Sequence, residues 1–129
     1  MRHVIPMILL VLFVLTACSG ASGQTDSGEG LLVSLTTRPT EPTVGQVELV
    51  VDVKDAANRP VSGAAVTLKA DMIGHSMGDL SGPATDQGNG RYATTANLSM
   101  AGAWQVDVQV RTADHEVARE FRIEVKPLD

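Results

Sequence analysis

Aromatic side chains are scarce in this chain: one Trp, one Tyr and two Phe, with Phe13 inside the first apolar run. That scarcity argues against a sugar-binding surface and against a single-stranded nucleic-acid platform, since both stack flat ligands on exposed rings. Basic charge is short as well, and the formal net charge is −5. An acidic balance gives no electrostatic footprint for nucleic acid or for an anionic lipid surface. Cysteine occurs once, at Cys18, so no intramolecular disulfide can form. Long hydrophobic runs are missing too. The apolar run at residues 4–15 spans twelve positions with Pro6 inside it, whereas a membrane helix needs about 20. Catalytic signatures are equally absent: no glycine-elbow serine with His and Asp partners, no Gly-Lys phosphate loop, no His-Glu-x-x-His. The chain reads as a non-enzyme.

The first residues do carry a leader. Arg2 and His3 precede the apolar run and small residues come after it, which is the pattern of a secretory signal peptide. Leu15-Thr16-Ala17-Cys18 resembles the lipobox of bacterial lipoproteins, in which the cysteine is acylated and becomes the first mature residue. The resemblance implies removal of residues 1–17 and lipidation of Cys18. The protein would then sit on the cell membrane or outer membrane, facing outside the cytoplasm. Each buried methylene contributes about 0.8 kcal/mol, so two or three acyl chains hold firmly. Beyond Cys18, residues 19–30 are Gly, Ser and small polar residues with one further acid pair, Asp26 and Glu29. Residues 18–30 therefore read as a lipidated Cys and flexible tether, holding the rest of the chain about 20 Å from the membrane. Residues 31–129 make one domain of ordinary size.

Within that domain the apolar positions recur with a period of two, the mark of strands with one buried face. Val47, Leu49, Val51 and Val53 share a face, with Val50 as the exception. Trp104, Val106, Val108 and Val110 alternate with polar residues without a break. Phe121, Ile123 and Val125 do the same, as do Val66, Leu68, Ala70 and Met72. Weaker strands are expected at residues 31–37 and 91–98. Breakers separate them: residues 38–42, 55–60, Gly82-Pro83, residues 87–90 and Ala101-Gly102. No segment carries a helical stripe. Six or seven short strands with clean alternation predict an all-β, immunoglobulin-like antiparallel β-sandwich. Trp104 and Phe121 should lie in its core.

One stretch breaks this grammar. Asp71-Met72-Ile73-Gly74-His75-Ser76-Met77-Gly78-Asp79 places two thioethers and an imidazole where a plain turn would serve. Thioether and imidazole donors together favour soft or borderline metals, chiefly Cu(I), over Mg²⁺ and Ca²⁺. His75 and Met77 are two apart, so an extended backbone directs both to one face. Met72 lies three before His75, and Gly74 allows the chain to bend between them. Met100 is a fourth candidate, in the turn before Trp104. Met72 also continues the series of Val66, Leu68 and Ala70, so it is equally a core residue, and Met100 can likewise be a packing residue. His115 reads as a hairpin-turn residue or a remote ligand.

Four segments together resemble the YtkA-like/FixH-like domain across residues 31–125. They are Pro60-Val61-Ser62-Gly63-Ala64-Ala65-Val66-Thr67-Leu68, Met72-Ile73-Gly74-His75-Ser76-Met77, Gly88-Asn89-Gly90-Arg91-Tyr92 and Met100-Ala101-Gly102-Ala103-Trp104-Gln105-Val106. The resemblance implies an immunoglobulin-like sandwich outside the cytoplasm, with a part in copper handling or cytochrome oxidase assembly. It implies Met72, His75 and Met77 as metal-site positions, with Met100 as an addition. Family members often carry a further Met and a Pro just before this segment, where this chain has Lys69, Ala70 and Asp71. The expected function is a lipid-anchored copper-binding protein, with a copper-receiving membrane protein as partner. The alternatives are a protein-interaction module, using the Met-rich loop as an adaptable contact, and a structural module of the cell envelope.

Overall fold

Alternating sequence becomes paired strand wherever two such segments can bury their apolar faces together. The computed structural model describes residues 26–28 and 30–129. Its strands are β1 Asp26–Gly28, β2 Leu31–Arg38, β3 Gly45–Asp55, β4 Ala65–Met72 and β5 His75–Pro83. They continue as β6 Thr85–Gly88, β7 Arg91–Leu98, β8 Gly102–Arg111 and β9 Glu116–Val125. One sheet runs β1-β2-β3-β7-β6 and the other β5-β4-β8-β9, with every named pair antiparallel. The expected all-β sandwich is the fold. The leader, Cys18 and the tether up to residue 25 lie outside the described residues.

The strands number nine among the described residues, against the six or seven expected. Three of them carry no alternating signal. β1 takes in Asp26, Ser27 and Gly28, which composition assigns to the tether; they pair with Val33, Leu32 and Leu31. β5 and β6 cross Gly82-Pro83, where the sequence predicts a break. They form almost one run, which changes sheets at Ala84, whose N–H donates to the Val66 carbonyl at 2.8 Å. All four residues of β6 are exposed, so no buried face marks it in the sequence.

The core follows the alternation. Val47, Leu49, Val51 and Val53 of β3 meet Trp104, Val106, Val108 and Val110 of β8, all buried. Phe121 and Val125 close one edge. Val50, the exception in the pattern, is buried on the opposite face of its strand, beside its cross-strand partner Ala93. Tyr92 is buried as completely as any valine, and its hydroxyl is satisfied twice. It donates to the Val61 carbonyl at 2.7 Å and accepts from the Ala64 N–H at 3.1 Å, pinning the β3–β4 connection to β7. Upstream in that connection, the Asp55 carboxylate accepts the backbone N–H groups of Ala57 and Arg59 at 2.9 and 3.0 Å. The Arg59 N–H bond holds the Asp55 carboxyl below the usual carboxylate range.

Registers separate the sandwich into two ends. At one end Met72 stands opposite Trp104, and Gly102 opposite Val125. At the other, Ala65 stands opposite Arg111, which pairs with Glu116. The His115 ring covers Gly30, with Nε2 2.7 Å from where a Cβ on Gly30 would lie. The chain therefore enters β2 at the end that carries His115. The Met72 hairpin is at the opposite end.

Candidate metal site

The Met-His segment is a hairpin rather than a loop. Met72 ends β4, Ile73 and Gly74 form a two-residue turn, and His75 opens β5 directly opposite Met72. Gly74 sits at φ 85°, a left-handed conformation that glycine adopts without steric cost. Paired residues on neighbouring strands present side chains to the same face, so Met72 and His75 are adjacent by register. On its other flank Met72 pairs with Trp104 of β8. The Ile73 N–H donates to the Ala103 carbonyl at 3.0 Å and fastens the turn to β8. Beyond His75 the pairing shifts, because Ala70 meets Leu80 while Met72 meets His75. Several residues of β5 thus bulge opposite Asp71 alone. Bulges are devices that re-aim side chains at strand edges.

Met72 is partly buried and packs against the core, while its terminal methyl reaches the β7–β8 connection. A Cβ on Gly102 would lie 2.9 Å from Met72 Cε, so the bare glycine leaves the space the thioether occupies. Met100 belongs to the same connection. Its carbonyl accepts the Trp104 indole N–H at 3.0 Å, and its side chain is 37% exposed. The structure therefore brings Met72 and His75 together and puts Met100 at the same end. Met77 lies two residues along β5 from His75, with its side chain outside the described residues. His115 is at the far end, covering Gly30, and takes no part in this cluster.

A cleft of about 360 Å³ opens beside the hairpin, lined by Lys69, Asp71, Ile73, His75, Gln105 and Asp107 among others. Gln105 donates to Asp107 at 3.1 Å within it. Asp71 Oδ1 is buried and accepts no hydrogen bond. That oxygen carries no signal in the sequence, where Asp71 reads only as a polar position in β4. A larger cleft of about 560 Å³ lies further along the outer face of β4, β8 and β9. Among the described residues no three His, Cys, Asp or Glu side chains converge as metal ligands. An ion held by the hairpin would therefore depend on thioether sulfur. The donor set fits a soft ion and does not fit an oxygen-seeking one.

A family model described as YtkA-like matches residues 26–109. The chain belongs to the YtkA-like family. The matched span begins at β1 and takes in the hairpin, Tyr92, Met100 and Trp104. This YtkA-like chain is also similar in structure to the soluble domain of PmoD from Methylocystis sp. strain Rockwell. The TM-score is 0.53 and the identity 16%, with 78% of this chain and 95% of that one covered. At that identity the likeness is one of fold. No curated protein sequence matches the chain.

Proposed function

We propose that this YtkA-like protein is a lipid-anchored, extracytoplasmic copper carrier, not an enzyme. It takes one Cu(I) ion as cargo and delivers it to a membrane protein, with oxidase assembly as the setting that the family resemblance suggests. His75 is the first ligand, Met77 the second, Met72 the third and Met100 the last. One observation carries the reading: Met72 and His75 face each other across a two-residue turn, with the Met72 thioether seated over Gly102 beside the Met100 connection. Thioether sulfur is a poor ligand for zinc, which favours thiolate, imidazole or carboxylate. Copper should accordingly bind far more tightly than zinc.

An anaerobic Cu(I) titration against a chromophoric chelator tests this. One equivalent should be held against a competitor of micromolar affinity. His75→Ala should remove most of the affinity and leave the thermal melt unchanged, since His75 is exposed. Failure of the unaltered protein to hold Cu(I) would overturn the copper reading. A second reading then gains: Ile73 and Met100 are 45% and 37% exposed at the same end, an apolar surface suited to contact with another protein.

A further inference from the structure

β1 fixes the direction in which the chain upstream of Asp26 leaves the sandwich. It runs antiparallel to β2, with Gly28 beside Leu31 and Asp26 beside Val33. β2 itself runs from the His115 end towards the end where Val125 stands opposite Gly102 and the Lys126 N–H donates to the Pro42 carbonyl. Traced backwards, the chain therefore leaves Asp26 heading for the hairpin end. Residues 34–38 of β2 lie ahead of it on that path, a distance of about 17 Å. Cys18 stands eight positions before Asp26, a reach of at most about 26–29 Å. That length brings an anchor at Cys18 level with the hairpin end. The same end carries every exposed large apolar side chain among the described residues: Ile73 in the hairpin turn, Met100 in the β7–β8 connection and Leu128 beyond β9. Lys126, two residues before Leu128, is paired with Glu41 at 2.9 Å. The turns of the far end carry Asn58, Asn89, Asp114 and His115 instead, all exposed.

We propose that the hairpin end is the membrane-facing end, with Ile73, Met100 and Leu128 resting in the headgroup layer of the bilayer that holds the Cys18 anchor. Exposed apolar clusters mark contact surfaces. A lipid surface is the occupant that the direction and length of the chain from Cys18 bring to this one. The contact is apolar, in keeping with an acidic protein that has no electrostatic attraction for anionic lipid. Three side chains orient a domain that the acyl chains already hold; they do not bind the bilayer alone. His75, two residues after Ile73, is then presented at the membrane surface, within reach of a membrane protein that takes the ion. This inference rests on the reading of Cys18 as the anchor and not on copper binding.

The chain's single tryptophan, Trp104, stands opposite Met72 at this end and serves as the probe. Acylated protein purified from membranes is reconstituted into phosphatidylcholine vesicles doped with a dansyl-headgroup lipid, and energy transfer from Trp104 is read. Transfer should be strong and insensitive to salt. Ile73→Ser combined with Leu128→Ser should lower it at least about twofold, because contact scales with the apolar area buried. The thermal melt should not change, since both side chains are exposed. Lengthening the tether with Gly-Ser residues before Asp26 should leave transfer unaltered, because the apolar patch seats the end. With the His115 end against the membrane, Trp104 would stand about 30 Å further out and transfer would nearly vanish. That result overturns the proposal, as does loss of transfer on lengthening the tether or no response to the serine pair. Weak transfer accompanied by dimers in ultracentrifugation would assign the patch to a second copy and overturn it too. Mass spectrometry of the N-terminal peptide separates the two failures: without an acyl group on Cys18 the anchor reading falls and this inference with it, whereas an acylated protein with weak transfer sinks this inference alone.

Discussion

Met72 is the side chain at which core packing and metal ligation compete most directly. It is partly buried against the core and at the same time faces His75 in register. Met72→Leu separates the two roles, because it keeps volume and apolarity while deleting the sulfur; such swaps usually cost under about 1.5 kcal/mol. The expected result is a nearly unchanged denaturation midpoint with weakened Cu(I) binding. Unchanged binding would leave Met72 as a packing residue only. Trp104 carries the opposite expectation, with no ligand role and a large structural one. It is 1% exposed and its indole N–H is spent on the Met100 carbonyl. Trp104→Ala should destabilise by about 3–5 kcal/mol, the usual range for emptying such a site. Against a total of about 5–15 kcal/mol, much of the protein's stability would go. A denaturant midpoint equal to wild type would contradict its place in the core.

At the scale of strands and connections, legibility in the sequence tracks one property, a single buried face. β4, β8 and β9 alternate cleanly, β3 does so apart from Val50, and their in-facing residues are the core found. β5 is hidden behind Gly74, Gly78 and Gly82-Pro83, residues that signal turns unless a neighbouring strand supplies the pairing. Likewise the Met-His segment stands out by composition, yet its hairpin register is set by β4 and the bulge in β5, which no local pattern encodes. Asp71, whose buried oxygen lacks a hydrogen-bond partner, lies opposite that same bulge. Tyr92 shows a further gap: flanked by Arg91, Ala93 and two threonines, it gives little sign of complete burial. Its role is long-range, tying β7 to residues 61 and 64. Tyr92→Phe should therefore cost more than its small change in volume suggests, because it strips partners from an N–H and a carbonyl. At about 0.5–1.5 kcal/mol per hydrogen bond, the loss should be about 1–3 kcal/mol. Urea melts measure it, and no shift of the midpoint would mean that water replaces the hydroxyl.

For the whole molecule, the decisive relation is between the point where the chain enters and the end that holds the hairpin. β2 begins beside His115, and Met72 and His75 lie at the other end of strands eight to ten residues long. At about 3.3 Å per residue that separation is about 30 Å. The chain joins the domain one strand earlier, at Asp26, which pairs with Val33 of β2, so an anchor at Cys18 would meet the sheet opposite the one that carries Met72 and His75. Anchorage and ion binding should then be separable properties. Cys18→Ser is expected to abolish acylation and leave an uncleaved or soluble form, with Cu(I) affinity unchanged. Fatty-acid labelling and mass spectrometry of the N-terminal peptide check the first part, and chelator competition on both forms checks the second. An unmodified mature N-terminus at a residue other than Cys18 would remove the anchor. A fall in affinity on Cys18→Ser would instead bring the Cys18 sulfur into the binding site, although the chain joins the sheet opposite the hairpin.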